Sequence, residues 1–413
     1  MKYYRFLFLV LLCSIGYAQS PVQEKEPPSH IKTILFSGNE KTHFPIIRLN
    51  EPFTLRFDDL NADEAIYRYQ ITHYNADWQP SSLLKSEYLR GMDDQYIYPS
   101  SNSNTTLQPY SHYSIDFPSE HLRILLAGNY LLSVTDQSGN LIFSRKFVVY
   151  SPSVGVEVNI KRSRDMRFFD TKQVVQFTIK GQALQIQNPK ESVKVTVLQN
   201  YRWDTAIHHL KPQYTMGGEL IYRYDEQAAF DGGNEFLYFE NKDIRTPSSG
   251  VYRVEQTESF HHYLFTSISR ANRVYTYNPD INGNFIVATI HGENPHDNAD
   301  YTWVHFSLEG LPEFWSKSVY VYGKFSNYQL SDAYKLSYDE SAGVFHGKVL
   351  LKQGFYNYNF AVKSADRVDF NGIGGNFQQT ENDYTVIVYY RAPGALYDQA
   401  IGVGGESSVN ITR

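Results

Sequence analysis

Thirteen histidines and a surplus of acidic over basic residues are the groups in this 413-residue chain best suited to chemistry. A metal site needs several such side chains to converge. His208 and His209 are adjacent, as are His261 and His262. Neighbouring residues of a strand point to opposite faces, so neither pair chelates easily. His291, His296 and Asp297 lie close together in a polar stretch, which is the loosest form a site can take. Asp280, Asn282 and Asn284 have the spacing that opens a calcium loop. Phe285 stands where that loop needs glycine, and His291 where it needs the closing glutamate. Asn282-Gly283 reads instead as a two-residue hairpin turn. The carboxylate pairs Asp58-Asp59 and Asp93-Asp94 read as solvated turns rather than as a glycosidase pair. There is no GxSxG elbow, HExxH, Walker loop or GxGxxG. The only cysteine, Cys13, lies in the N-terminal apolar run, so no disulfide framework or thiol chemistry is expected beyond it. The expectation is a protein that is not an enzyme and uses no cofactor and no metal.

The elements that would position these residues are strands. In the block 351–403, Tyr356, Tyr358, Phe360 and Val362 alternate with Asn357, Asn359, Ala361 and Lys363, the period of a half-buried strand. A Gly-rich turn and a second strand, 384–390, follow. Further strand candidates are 31–36, 53–57, 65–74, 110–117, 130–135 and 141–150, spaced as in an immunoglobulin-like sandwich. Ser151-Pro152-Ser153 marks a boundary, after which Val154, Val156, Val158 and Ile160 begin a new sheet. No segment keeps a helical period over 12 residues. The fold class expected is all-β, with three successive immunoglobulin-like or related β-sandwich domains. Their expected spans are 31–152, 153–292 and 301–413, the last two joined by a polar linker at 293–300.

Lys2, Arg5, the apolar run 6–15 and the small residues Gly16 and Ala18 have the form of a secretory signal peptide, 1–18, cleaved after Ala18. The Pro-rich stretch that follows reads as a flexible leader, 19–30. Removing Lys2 and Arg5 takes the formal charge from -6 to -8, which disfavours a nucleic-acid surface. The 34 tyrosines and 26 phenylalanines suit strands, and tyrosine suits wet interfaces as well.

Three sets of runs are long and unusual in composition. In the first part they are YQITHYNADWQPSSLLKSEYLRG (69–91), YSHYSIDFP (110–118) and the AGNYLLSV that follows. In the middle they are QNYRWDTAI (199–207), LKPQY and FDGGNEFLYFE (230–240). In the last part they are VYVYGKFSNYQLS, LKQGFYNYNF and GNFQQTENDYTVIVYYRAPGALYDQAIGV. Together they resemble one family, the plug protein of the type IX secretion system of the Bacteroidota. The resemblance covers nearly the whole expected mature chain, with departures at Tyr201 and Ala395. It implies a periplasmic protein, peripheral at the inner face of the outer membrane. It also implies that the protein binds the periplasmic end of the outer-membrane translocon barrel and seals the pore when idle. Asp204-Thr205-Ala206 is similar to the O-glycosylation signal of the same bacteria, which makes Thr205 a candidate for modification.

Partner contact is expected in loops, since the inner faces of sheets must be buried. The candidates are 79–109 and 226–249, the latter with the turn Gly232, Gly233, Asn234, Glu235. The alternative reading is a periplasmic carbohydrate-binding protein. The run 319–329 resembles the first strands of starch- and glycogen-type binding modules, and Trp303, Trp315 and Tyr328 would form the sugar platform.

Overall fold

The computed structural model describes residues 22–38, 45–181, 186–290, 294–365 and 367–411. The expected signal peptide, with its cleavage site at Ala18, lies outside them. The chain is all-β. Among the described residues the only α-helical segments are the four-residue turns Lys85–Tyr88, Pro189–Ser192 and Pro295–Asn298.

The first sandwich pairs two antiparallel-dominated sheets. One runs in the order Ile31–Ser37, Phe53–Asp59, Ser111–Phe117, Ser101–Asn102. The other runs Ile46–Arg48, Leu141–Tyr150, Gly128–Thr135, Tyr67–Tyr74, Gln95–Ile97. Alternate residues of both sheets supply the core, including Leu55, Phe57, Ile71, Tyr113, Tyr130, Phe143 and Phe147. Buried tyrosines cost little here because each hydroxyl finds an acceptor. Tyr67 donates to Asp59 at 2.7 Å, Tyr113 to the Ala65 carbonyl at 2.6 Å and Tyr130 to the Leu126 carbonyl at 2.7 Å.

After this sandwich the chain departs from the serial division at 153–292 and 301–413. The second sandwich faces one sheet, built on Gly155–Arg162, Lys172–Lys180, Glu219–Tyr222 and Tyr214–Met216, with another of order Ile207–His208, Val193–Gln199, Asp383–Tyr390, Gln399–Ser407. Two strands of the expected last domain therefore belong to the middle one. Val195 pairs with Val388 and Val197 with Val386, and these side chains share a core with Val175, Phe177 and Ile179. The third sandwich is inserted between these halves. It is a single sheet that folds over on itself, running from Leu237–Glu240 through Gly354–Lys363, Ser318–Tyr322, Lys335–Asp339, Val344–Lys352, Tyr301–Glu309 and Phe260–Leu264 to Val251–Gln256. Local patterning shows only that each strand buries a face, so an insertion of this kind leaves no mark at the expected boundary.

Several strands are buried on both faces, which removes the alternation read from the sequence. In Gly354–Lys363, Tyr356, Tyr358, Phe360 and Val362 enter the third core, while Asn357, Asn359 and Ala361 on the other face are also buried. In Asp383–Tyr390, Val386 and Val388 enter the second core, while Ile387 and Tyr389 pack against Val148 and Ala76 of the first sandwich. Asn282-Gly283 does form a turn with positive φ at both residues, 54° and 79°. It is not a hairpin, because the preceding 274–277 is not a strand.

Candidate functional site

The most chemically dense region is the buried joint between the first and third sandwiches. Asp58 is 1% exposed, on a strand rather than in a solvated turn. Its Oδ1 contacts His112 Nδ1 at 2.6 Å, and its Oδ2 accepts from Tyr301 Oη at 2.6 Å and Lys352 Nζ at 2.7 Å. Lys352, also 1% exposed, donates to the His296 carbonyl at 2.7 Å and lies 4.0 Å from the centre of the Tyr110 ring. Burial works against the Asp58 carboxylate, but the Lys352 ammonium and the His112 ring outweigh it and hold it below its usual range. The grouping has acid, base and cation, yet Asp58, His112 and Lys352 line none of the described cavities. A substrate has no access, and the arrangement serves as a cross-link between domains.

The segment expected as a linker is part of the same joint. Asp300 accepts from the backbone N–H of Leu107 at 2.6 Å and Gln108 at 3.1 Å, and Tyr110 Oη donates to the carbonyls of His296 at 2.9 Å and Ala299 at 2.8 Å. The His296 ring stacks on His112 at 5.2 Å, and burial pushes its pKa down to about 4. Of the loose metal reading at His291, His296 and Asp297, His291 lies outside the described residues, and no group of three or more His, Cys, Asp or Glu side chains placed to hold a metal occurs among the described residues. His261 and His262 do point to opposite faces. His262 is fully buried, whereas His261 faces His305 at 2.9 Å.

Two further joints close the assembly. Asp398, 1% exposed, accepts from Arg391 Nε at 2.8 Å, Lys194 Nζ at 2.9 Å and the Ala76 N–H at 3.1 Å, tying the first sandwich to the second. Arg202 reaches from the second sandwich into the third. Its guanidinium lies 4.6 Å from the Phe370 ring centre and 4.8 Å from that of Tyr328, and it is bidentate to Asp204 at 2.6 and 3.1 Å. The consecutive positive φ values at Asn200 (49°) and Tyr201 (57°) turn the chain so that Arg202 and Trp203 project there. Trp203 meets Trp78 edge to face at 5.0 Å. The stretches NADW, RWDTA and YDQA, which lie within the runs that carry the resemblance, thus supply residues of the joints.

The leader is docked rather than free over its described part. Val22 N–H donates to the Trp78 carbonyl at 3.2 Å, and Lys25 N–H to Ser144 Oγ at 2.8 Å. Glu24 accepts from the Lys146 N–H at 2.6 Å and from Asn327 Nδ2 at 2.6 Å. Residues 22–28 are therefore a strap from the first sandwich to the third.

The expected contact turn is interior. Glu235 is 1% exposed and Asn234 8%. A side chain added at Gly232 would meet the Phe377 carbonyl oxygen at 2.1 Å. Gly233 has φ 67° and donates to Asn376. This turn is where the chain passes from the second sandwich into the third, so it offers no docking surface. Thr205 Oγ1 is shut away from solvent and has no hydrogen-bond partner among the described residues, a geometry that opposes a glycan there. The sugar platform does not assemble: Tyr328 is buried beside Arg202, Trp303 lies under Lys348 at 4.6 Å, and Trp315 stacks on Tyr338 at 5.4 Å. The 79–109 excursion divides in two. Its end, 101–108, enters the joint with Asp297 and Asp300. Its beginning leaves Leu84, Met92, Tyr96 and Tyr98 exposed, with Arg68 lying 5.0 Å from the Tyr96 ring centre. Sequence reasoning missed the cross-links because a buried lysine at 352 is read only through its partner at 58, which local patterning does not supply.

These features define an all-β protein of three interlocked sandwiches, with buried joints and no open catalytic centre among the described residues. Residues 31–151 match the family model of the type 9 secretion system plug protein 1st domain. The crystal structure of a hypothetical protein from Parabacteroides merdae is similar over 94% of this chain and 100% of that chain, at 30% identity and a TM-score of 0.88. Comparison with curated proteins finds no match. The chain belongs to the type 9 secretion system plug family, a family of secretion components and not of enzymes.

Proposed function

We propose that this protein is a periplasmic plug that binds the periplasmic end of the outer-membrane translocon barrel and seals its pore while no substrate passes. The observation that carries the reading, beyond the family match, is the way three sandwiches are locked together by buried ionic and aromatic joints. A seal for a wide pore must be broad and must not flex between its parts. It must also come away, so its contact surface should be of ordinary size with a polar rim. The exposed Met92, Tyr96 and Tyr98, with Arg68 over Tyr96, supply an aromatic surface on the first sandwich that suits such a contact.

The test is co-purification of the translocon from cells carrying wild type or the Met92→Glu/Tyr96→Glu variant. The wild-type chain should be found at the periplasmic mouth, and the variant should be lost from it while keeping its melting temperature. A deletion strain should become more sensitive to bulky antibiotics. Absence of the wild-type chain from every translocon species, with normal permeability in the deletion strain, would reject the proposal.

A further inference from the structure

A cavity of about 300 Å³ lies where the strap, the first sandwich and the third sandwich meet. That volume is at the lower end of what small-molecule sites require. Its walls carry both charge and apolar surface, the latter from Phe285, Phe325 and Tyr334.

The carboxylates around it are already engaged. Glu24 accepts from the Lys146 N–H and Asn327, each at 2.6 Å. Glu26 lies 3.7 Å from Arg145 and accepts from Asn327 at 3.4 Å. Asp204 is taken up by the bidentate contact with Arg202. Two wall residues, Lys32 and Lys324, are left without a hydrogen bond or ion pair to their ammonium groups among the described residues. An ammonium withdrawn from bulk water without a partner is costly, so the described residues leave the site short of negative charge. Burial pushes both lysines below their usual range, with Glu24 partly offsetting this at Lys324.

The placement of Lys32 is a built feature of the strand. The register of Ile31–Ser37 against Phe53–Asp59 shifts between Lys32 and Leu35, and Thr33 takes φ 53°. Such a bulge changes which side chains face each way. Ile31 before it and Ile34 and Phe36 after it all reach the first core, although strict alternation would separate them. Leu35 packs on the third core instead, and Lys32 is left on the cavity wall.

We propose that this cavity binds a small organic anion, its carboxylate or phosphate neutralising Lys32 and Lys324 and its apolar body lying against the aromatic wall. The inference does not depend on the plug reading. The probe is phenyl phosphate, titrated calorimetrically into the full mature chain, with inorganic phosphate and phenol titrated separately. Saturable binding at millimolar concentration or tighter is expected for phenyl phosphate, about tenfold weaker binding for phosphate, and none for phenol. Lys32→Met and Lys324→Met should each weaken phenyl phosphate binding at least about tenfold. Lys348→Met, on the sheet face over Trp303, should leave it unchanged. Near-ultraviolet circular dichroism of each variant establishes that it is folded. Absence of saturation by the folded wild-type chain, or affinity unchanged from wild type in both cavity variants, would overturn the proposal. Phosphate binding as tightly as phenyl phosphate would overturn the aromatic wall's part in it.

Discussion

The Asp58–Lys352 pair makes the sharpest demand on the physical account. Both side chains are 1% exposed and 2.7 Å apart. Replacing Lys352 by Met removes one charge and leaves the Asp58 carboxylate buried with only His112 and Tyr301. Breaking a buried pair from one side costs about 3–5 kcal/mol, because the remaining charge is uncompensated. Asp58→Asn should cost a similar amount by stranding Lys352. The double variant Asp58→Asn/Lys352→Met leaves neither charge and should cost well below the sum, a coupling of at least about 2 kcal/mol. Urea denaturation of the four proteins measures this, with hydrogen exchange in Tyr301–Glu309 reporting the joint itself. The pH dependence follows from the same contact. The Asp58 pKa is depressed in the fold. Its contribution to stability is therefore fully present above the unfolded value of about 3.9 and lost as pH falls through the folded value. Single variants costing under about 1 kcal/mol, or a double variant that is simply additive, would refute the claim that this pair holds the joint.

Other outcomes are equally specific. Arg202→Lys keeps the charge but loses the planar fork to Asp204 and the stacking on Phe370 and Tyr328, so a loss of about 2 kcal/mol is expected by thermal or urea melts. Gly232→Ala places a methyl against the Phe377 backbone at 2.1 Å and should sharply reduce soluble yield, whereas Gly139→Ala meets no atom within 4 Å and should cost only about 1 kcal/mol for its φ of 85°. Removing residues 22–28 should speed hydrogen exchange at Ser144 and Lys146 and shift tryptophan emission to the red as Trp78 becomes wetter; unchanged exchange there would show that the strap does not hold.

The joints also bear on how a secretion component of this family could work. Each is polar or aromatic at its centre and draws residues from distant parts of the chain: Asp58 with Lys352, Ala76 with Asp398, Asn129 with Tyr389. Paired buried charges fix one arrangement of the domains, because any slippage strands a charge. A hydrophobic seam would tolerate small displacements that these contacts do not.

The sequence alone determined the all-β class, since alternation at 65–74 and 130–135 is local and follows from one residue's relation to the next. It also pointed to the family, because long runs such as YQITHYNADWQPSSLLKSEYLRG and QNYRWDTAI are unusual in composition. It failed where the answer depends on a partner far along the chain. Strand 383–390 looks like the continuation of strand 354–363, yet it pairs with 193–199, and only the closed core of the second sandwich decides that. Asp58-Asp59 and Gly232–Glu235 have the composition of solvated turns, but Asp58 is buried against Tyr301 and Lys352 of the third sandwich, and Asn234 and Glu235 lie where the chain enters that sandwich. Leader residues 22–28 are polar and Pro-rich, as flexible segments are, yet Trp78, Ser144, Lys146 and Asn327 together give their backbone and side chains fixed partners. Burial is a property of what packs against a residue, and for these positions the packing partner lies hundreds of residues away or in another sandwich.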